Sequence, residues 1–339
     1  MSLIFMDSFD HYVTADLLKK WNTAGNISVG AVGRRGSNGI SGNSANPNLY
    51  KTLPVNSSWV MGTAFHVAAG FSGARTILSL LDAGIVQCEL RVNPDLTLSV
   101  TRDAVTLTSG TSVFALTAGV FSYIEWKVTV ANSISAGSCK VRVNGVDWIT
   151  VATGQDLQNT ANATANQVRL GADNLTGPVT FTFDDFYVCD QSGSTNNDFL
   201  GDVRIDTLYP TGAGNYTQFT PSAGANWTTV DEATPNTTDY NDGTTVGHRD
   251  SYGMGNLPAL ASQTVYGVQV NAAVMKDDAG AKSVATMVRS STTDGDGVSV
   301  GLSTSQTYVS QVYATNPDGA VAWTEATVNA MEAGVRVTA

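Results

Sequence analysis

Two adjacent carboxylates, Asp184 and Asp185, interrupt the otherwise apolar and aromatic stretch FTFDDFYVCD (181–190). Glycoside hydrolases use two carboxylates that flank one bond, one as an acid and the other as a base or nucleophile. The stretch predicts a β-strand, and neighbours on a strand point to opposite faces. We therefore expect the pair to be structural, for example by accepting backbone N–H groups at a strand end, and we predict no catalytic residue in the chain.

Metal chemistry has weaker candidates. Asp7 and Asp10 approach Asp184 and Asp185 if the first and last strands pair, but Ca²⁺ needs six to eight oxygen ligands. The stretch DGDG (294–297) lacks the remaining spacing of a calcium loop, and a turn explains it better. The three histidines are too scattered for zinc: His11, His66 and His248. The sequence predicts neither a metal nor a cofactor.

Tryptophans offer a second kind of site, because exposed aromatic rings can stack on sugars. Trp59, Trp126, Trp148, Trp227 and Trp323 are the candidates. Trp126 shares a strand face with Ile124 and Val128, which favours the core. The best candidates for glycan or interface contact are Trp227 and two residues of a long polar tract, His248 and Arg249.

Composition narrows the class of protein. The 339 residues are 42% hydrophobic but only 14% charged, and the formal net charge is −11. Low charge with abundant Ser, Thr, Asn and Gly is typical of all-β proteins with many turns, and a nucleic-acid partner would need a basic face. Three cysteines without CxxC spacing predict buried free thiols: Cys88, Cys139 and Cys189. No stretch is long and apolar enough to predict a signal peptide or membrane insertion.

Strand patterns position these residues. The segment 122–151 alternates apolar and polar residues and predicts three antiparallel strands, the last two joined at Asn144-Gly145. Helical patterns are limited to 14–21 and to a short helix near 324–333, with Thr324 as N-cap and Gly334 after its end. The fold class is therefore all-β, as two β-sandwich (jelly-roll-like) domains with very little helix.

Polar tracts predict the domain boundaries. Residues 1–190 form the first β-sandwich, 191–202 a linker, and 203–339 a second β-rich domain. Within the second domain, the tract 231–253 has almost no apolar periodicity and is predicted to be a long loop. A loop of that length is usually functional or buried against a partner.

The first domain resembles the concanavalin A-like (laminin G-like) jelly roll. The resemblance rests on FMDSFDHY (5–12), YIEWKVTV (123–130), GSCKVRVNGV (137–146) and the closing FTFDDFYVCD. Each motif is short, but their order along the chain fits that family. The resemblance implies a β-sandwich with a possible role in contacting glycans.

The second half resembles a module of tailed-bacteriophage virion proteins. The carriers are GDVRIDTLYPTGAG (201–214), directly after the acidic strand and polar linker, and WTEATVNAMEAGVRVT (323–338). This resemblance implies a non-enzymatic structural component of the particle, tail- or fibre-associated and located on the virion. Its expected partners are other virion proteins, copies of itself and a host surface glycan.

Three alternatives remain open at this point. They are a capsid decoration protein, a carbohydrate-binding receptor-recognition module and, least favoured, a glycan depolymerase. A depolymerase predicts same-face carboxylates converging in a groove. A carbohydrate-binding module predicts a sheet face with exposed aromatics and amides.

Overall fold

The computed structural model describes residues 3–42, 46–68, 70–132, 136–151, 154–171, 180–260 and 262–339. The chain divides into two compact units, and each is described by itself. The first comprises residues 1–2 and 6–205, and the second comprises 3–5 and 206–339.

Antiparallel strands dominate the chain up to residue 205. They are β1 (Leu3–Asp7), β2 (Thr23–Gly25), β3 (Ile27–Val32), β4 (Asn38–Gly42), β5 (Asn48–Asn56), β6 (Ser58–Val67), β7 (Arg75–Asp82), β8 (Ile85–Val92), β9 (Thr97–Arg102), β10 (Val105–Ala115), β11 (Ser122–Thr129), β12 (Ser138–Val143), β13 (Val146–Val151), β14 (Ala165–Gly171) and β15 (Phe181–Cys189). Sheet A has the order β13-β12-β11-β6-β15-β4-β3, and sheet B the order β10-β9-β8-β7-β14-β5-β2.

The two sheets bury their apolar faces against each other. Sheet A contributes large side chains such as Trp59 and Trp126, and sheet B contributes aliphatic ones such as Leu80 and Leu90, all fully buried. The predicted thiols are free and buried, and burial raises the pKa of Cys88 on β8. We call the face of each sheet that is turned away from this core its outer face.

The predicted meander is confirmed. Strands β11, β12 and β13 pair in sequence, and the β12–β13 hairpin turns at Asn144 (φ 49°) and Gly145 (φ 79°). Two consecutive positive φ angles are what a type I′ turn requires, and Asn-Gly is the dipeptide that tolerates them best. The Asn144-Gly145 dipeptide alone was therefore enough to predict this hairpin.

The second unit is also built from strands. They are β16 (Pro210–Thr217), β17 (Thr220–Pro221), β18 (Asn241–Asp242), β19 (Arg249–Met254), β20 (Val268–Val274), β21 (Ser283–Ser290), β22 (Thr293–Asp296), β23 (Val300–Gly301), β24 (Thr307–Tyr313) and β25 (Glu332–Val337). Sheet C has the order β16-β19-β25-β21-β22, while β20 pairs with β24. A core that includes Val270, Val288 and Trp323 lies between these layers. The chain is thus all-β with two β-sandwich units, as its composition predicted.

Two elements of the second unit differ from their sequence patterns. The tract 231–253 is not one continuous loop, because it contains β18 and its last residues begin β19, the second strand of sheet C. The helix near 324–333 starts as predicted, with the Thr324 hydroxyl accepting the Thr327 N–H, but it spans only Glu325–Asn329. Gly334 lies instead in β25, where a Cβ would come within 1.9 Å of the Asp250 carbonyl oxygen. Pairing with β19 and β21 overrides the local helical pattern there.

Helix is otherwise sparse. The predicted segment 14–21 forms a 3₁₀ turn (Thr14–Asp16) followed by one α-helical turn (Leu17–Lys20). The N-cap of the 3₁₀ turn is Val13. Within the described ranges, no helix is long and apolar enough to cross a bilayer.

Candidate functional site

A β-bulge changes the geometry of the Asp184–Asp185 pair. Asp184 is opposite Ala64 and Tyr187 is opposite Gly62, so two residues of β15 oppose one of β6. Asp185 has a φ of 49°, in the left-handed region. An extra residue interrupts the strict alternation of a strand. The expectation that the two carboxylates point to opposite faces is therefore wrong, because both lie on the outer face of sheet A.

Both carboxylates are fully engaged by protein groups. Asp184 Oδ2 accepts from the Arg34 N–H at 2.7 Å and from the Ser37 hydroxyl at 3.0 Å. Asp185 Oδ1 accepts from the Ile205 N–H at 2.7 Å, and its Oδ2 lies 3.2 Å from Arg35 Nη1. Burial and the neighbouring Asp185 charge raise the pKa of Asp184 to about 7. These contacts match the expected structural role in accepting backbone N–H groups.

The segment 198–205, which we call the strap, crosses the outer face of sheet A. Gly201 N–H donates to Glu125 Oε1 at 2.8 Å, and Leu200 N–H donates to the Tyr187 hydroxyl at 3.2 Å. That hydroxyl in turn donates to Glu125 Oε1 at 2.5 Å. Asp202 pairs with Arg34. These contacts join the strap to several parts of the same face. The last residues of the predicted linker 191–202 therefore pack on the sandwich.

The other candidate metal ligands are held apart. Asp7 is buried, with its Oδ1 3.1 Å from Lys20 Nζ and its Oδ2 accepting from Tyr12 and Trp21. Asp10 accepts from the Asn38 N–H at 2.7 Å. Among the described residues, no group of three or more His, Cys, Asp or Glu side chains could hold a metal ion.

The second-unit candidates lie in separate surroundings. Trp227 is half-buried in the 3₁₀ turn Asn226–Thr229, and the His248 backbone pairs with Thr245 and Val337. The Arg249 guanidinium bonds to Asp296 at 2.8 and 2.9 Å and lies 3.2 Å from Asp294. The two aspartates of DGDG are therefore in strand β22 and bind arginines, where a turn was expected. A glycan or interface role for Trp227, His248 and Arg249 stays a prediction.

A continuous polar row crosses the outer face of sheet B. Each of the seven strands contributes one polar residue, and each of these residues is directly opposite the next one on the neighbouring strand. In order across the sheet they are Thr23, Tyr50, Arg169, Ser79, Glu89, Thr101 and Thr106. At about 4.8 Å between strands the row is about 29 Å long. We call it the polar row.

The centre of the polar row is tightly bonded. Arg169 Nη2 donates to Glu89 Oε1 at 2.8 Å and to the Ser79 hydroxyl at 2.9 Å, while its Nη1 donates to the Tyr50 hydroxyl at 3.1 Å. The guanidinium also lies 5.6 Å from the Tyr50 ring centroid. These contacts fix a tyrosine and an arginine on the adjacent strands β5 and β14, and join the arginine to a carboxylate on β8, beyond β7.

Arg91 flanks the polar row and carries the charge that is not neutralised. It lies two residues along β8 from Glu89 and directly opposite Ser99 and Thr76. Its Nη2 donates to the Ala74 carbonyl at 3.2 Å, and the described residues place no carboxylate within ion-pair distance. Within the same described part of the chain, Arg91 Nε and the Thr101 hydroxyl are buried without a hydrogen-bond partner. The face therefore combines hydroxyls, an amphipathic ring and one uncompensated cation.

Part of this polar face can be inferred from the alternation of one strand in the sequence. Gln87, Glu89 and Arg91 alternate with the core residues of VQCELRV (86–92), so they must share the outer face. The partners from β5 and β14 could not be inferred, because those strands are distant in sequence. Only the sheet order joins Tyr50 and Arg169 to Glu89.

Comparisons with known proteins give structural likeness at low scores. Neither the protein-family models nor the curated proteins searched match the chain. The cellulose-induced protein Cip1 is 16% identical over 55% of this chain and 90% of its own, with a TM-score of 0.37. Alginate lyase Aly36B is 8% identical over 55% and 96%, with a TM-score of 0.37. Trypanosoma rangeli sialidase is 10% identical over 50% of this chain, which spans only 29% of the sialidase, with a TM-score of 0.37.

These comparisons correct the sequence-based function. The predicted structural component of a tailed-phage particle is wrong: similar structures include a sialidase, alginate lyases and Cip1, and none of these is a virion protein. The β-sandwich part of the resemblance is confirmed, and the tail, fibre and capsid-decoration parts have no support. The predicted absence of enzyme activity stays a prediction. The virion location and its protein partners stay untested predictions.

Proposed function

We propose that the first unit binds an acidic polysaccharide along the polar row of sheet B. Three members of the row are buried and support it from below: Ser79, Thr101 and Arg169. The accessible members are Thr23, Tyr50, Glu89 and Thr106. Their spacing along one line suits an extended chain of sugar hydroxyls, which both donate and accept hydrogen bonds. The observation that carries the proposal is Arg91, a half-buried cation without a carboxylate partner among the described residues. A guanidinium binds a carboxylate through two parallel hydrogen bonds.

The charge balance of the face favours an anionic ligand. Glu89 is the one carboxylate in the polar row, and Arg169 neutralises it at 2.8 Å. Arg91 then leaves the face with a local positive charge in a chain whose net charge is −11. A neutral glycan would leave that charge uncompensated.

We propose binding without hydrolysis. Glycoside hydrolysis needs two carboxyl groups about 5 to 9.5 Å apart, on either side of the scissile bond. The polar row supplies Glu89 alone, which is bonded to Arg169, so it has no second carboxylate to act from the other side of a bond. We therefore expect the protein to bind the polymer without cleaving it.

Calorimetric titration with polygalacturonate, compared with neutral dextran, tests the proposal. We expect polygalacturonate to bind more tightly, and Arg91→Ala to weaken its binding by about tenfold, the loss of a charge-assisted hydrogen bond. Arg102→Ala is the matched control, since Arg102 belongs to an exposed ion pair with Asp156 in the same unit. Equal binding of the two polymers, or no effect of Arg91→Ala, contradicts the proposal. Release of reducing ends from polygalacturonate would contradict the non-hydrolytic part alone.

A further inference from the structure

A separate pocket opens on the outer face of sheet A. It has a volume of about 270 Å³ and lies between the β11–β13 strands and the start of the strap. Pockets that enclose drug-sized ligands are about 300–1,000 Å³, so this one suits a smaller ligand. Its polar and aromatic side chains are Lys127, Ser138, Lys140, Arg142, Thr150, Asp198 and Phe199.

Three cations of the pocket are crowded together. Lys127 and Lys140 are directly opposite each other on β11 and β12, and Arg142 follows two residues along β12. Like charges directly opposite on neighbouring strands destabilise a sheet. Each of the three side chains keeps about a third of its surface exposed (34%, 33% and 34%). The crowding and the accessibility together favour an anion at this position.

Two aspartates compensate the cations only in part. Asp147 lies 2.9 Å from Lys140 Nζ and 2.7 Å from Arg142 Nε, on the adjacent strand. Asp198 lies 3.1 Å from Lys127 Nζ, belongs to the strap and is 63% exposed. Among the lining residues, three cations face two carboxylates. Glu125 is directly opposite Arg142 on β11 but lies outside the lining, where it accepts from Tyr187 and Gly201. The Asp198 carboxylate is the one best placed to be replaced.

The aromatic wall adds a preference for an organic ligand. Phe199 packs against the Arg142 guanidinium, which lies 4.3 Å from the ring centroid. Ser138 and Thr150 add hydroxyl groups to the lining. An inorganic anion would use the cations alone, whereas a small ring with a carboxylate would use all of these groups.

We propose that this pocket binds a small organic acid of single-ring size, whose carboxylate displaces Asp198 from Lys127. The ligand carboxylate then lies between Lys127 and Lys140, and its ring contacts the wall formed by Phe199, Ser138 and Thr150. Asp198 acts as a built-in competitor that occupies the lysine when no ligand is bound. The site is independent of the polar row, which lies on the other sheet.

Titration calorimetry with D-glucuronate, D-glucose and sulfate tests the pocket. The titrations use the whole chain with Arg91→Ala, which weakens binding to sheet B, while substitutions at the pocket leave sheet B unchanged, so the two proposals fail separately. We expect glucuronate to bind more tightly than either glucose or sulfate. Glucose binding as tightly as glucuronate overturns the need for an anion, and sulfate binding as tightly overturns the organic class.

Two substitutions test the competitor arrangement. Lys140→Gln should weaken glucuronate binding about tenfold, whereas Asp198→Asn should strengthen it several-fold by freeing Lys127. Lys19→Gln, in an ion pair with Asp16 elsewhere in the unit, is the control and should leave affinity unchanged. Unchanged binding in Lys140→Gln overturns the site, and unchanged or weaker binding in Asp198→Asn overturns displacement. Circular dichroism establishes that each variant is folded.

Discussion

Gly62 allows one ring to cross a central strand. It lies between Glu125 on β11 and Tyr187 on β15, directly opposite both. The Tyr187 ring extends over it to reach Glu125, and a Cβ at position 62 would come within 2.2 Å of the ring. Glycine is needed here for space rather than for a positive φ.

Gly62→Ala should therefore be strongly destabilising. We expect a loss of about 1–3 kcal/mol in the free energy of unfolding, the usual cost of overpacking a closed core, measured by urea denaturation. Gly212→Ala is the control, because a Cβ there has no atom within 4 Å. In a Tyr187→Ala background the added methyl group should cost much less. If Gly62→Ala lowers the free energy of unfolding equally in both backgrounds, the added methyl group does not clash with the Tyr187 ring.

Asp184 should make folding stability fall as the pH rises. Its pKa in the folded protein is raised to about 7 from 3.8, so between these values the folded state holds a proton that the unfolded state has lost. Stability contributed by this proton is present below about pH 4 and is lost by about pH 7, on the order of 1 kcal/mol per pH unit at most. Urea midpoints across this range should fall more steeply for the wild type than for Asp184→Asn. Parallel pH profiles would contradict the assignment.

The Asp184–Asp185 pair was predicted only in part from the sequence. Its strand was predicted correctly, and so was a role in accepting backbone N–H groups. The direction of the Asp185 side chain was not, because alternation holds only for unbroken pairing and the bulge depends on the partner strand. The local backbone preferences of aspartate are not strong enough to predict a φ of 49° in a strand.

At the scale of elements, buried polar groups hold the strap on the outer face of sheet A. Glu125 is 1% exposed, and burial raises the pKa of its carboxyl group. Its Oε1 accepts from both Tyr187 and Gly201, whereas Oε2 has no hydrogen-bond partner within the described residues. One carboxyl oxygen therefore connects strand β15 and the strap to strand β11.

Glu125→Leu should loosen the strap while leaving the sandwich folded. Removing the acceptor leaves two donors unsatisfied, at about 1–3 kcal/mol each. Hydrogen exchange at the Gly201 and Leu200 amides should become at least about tenfold faster than in the wild type. Lys127→Gln on the same strand is the control, because its ion pair with Asp198 is exposed and worth less than about 1 kcal/mol. Unchanged exchange at Gly201 would mean that Glu125 does not hold the strap.

Elements that depend on local chemistry were predictable, and those that depend on distant partners were not. Asn144-Gly145 fixed a hairpin, and Thr324 fixed a helix start. The end of that helix was missed because residues 332–337 pair with β19 and β21 on both sides. The backbone hydrogen bonds of a central strand outweigh a short helical pattern.

For the whole molecule, the proposed binding face depends on strand order more than on composition. The composition and alternation predicted an all-β chain with two sandwiches. The polar row exists only because β5, β14, β7 and β8 are neighbours. That order brings together Tyr50 and Arg169, which are 119 residues apart in sequence, and joins Arg169 to Glu89, 80 residues away. A resemblance carried by short motifs does not contain that information, and this explains the wrong expectation of a phage particle.

The boundary of the first unit gives the last test. The unit extends to Ile205, whereas the sequence placed the end of the first domain at residue 190. A fragment 1–190 lacks the strap, which deprives Arg34 of Asp202 and Asp185 of the Ile205 N–H. It also exposes Glu125 and Tyr187. Losing several buried polar contacts at once should cost more than the removal of an ordinary exposed tail.

We therefore expect fragment 1–205 to fold and to melt at least about 5 °C above fragment 1–190, because 1 kcal/mol shifts the melting temperature of a domain this size by about 2–4 °C. Thermal unfolding followed by circular dichroism measures the difference. Fragment 1–197, which ends just before the strap, is the matched control and should behave like 1–190. If 1–197 is as stable as 1–205, the strap contributes nothing to the sandwich and the polar contacts described for it do not stabilise the fold.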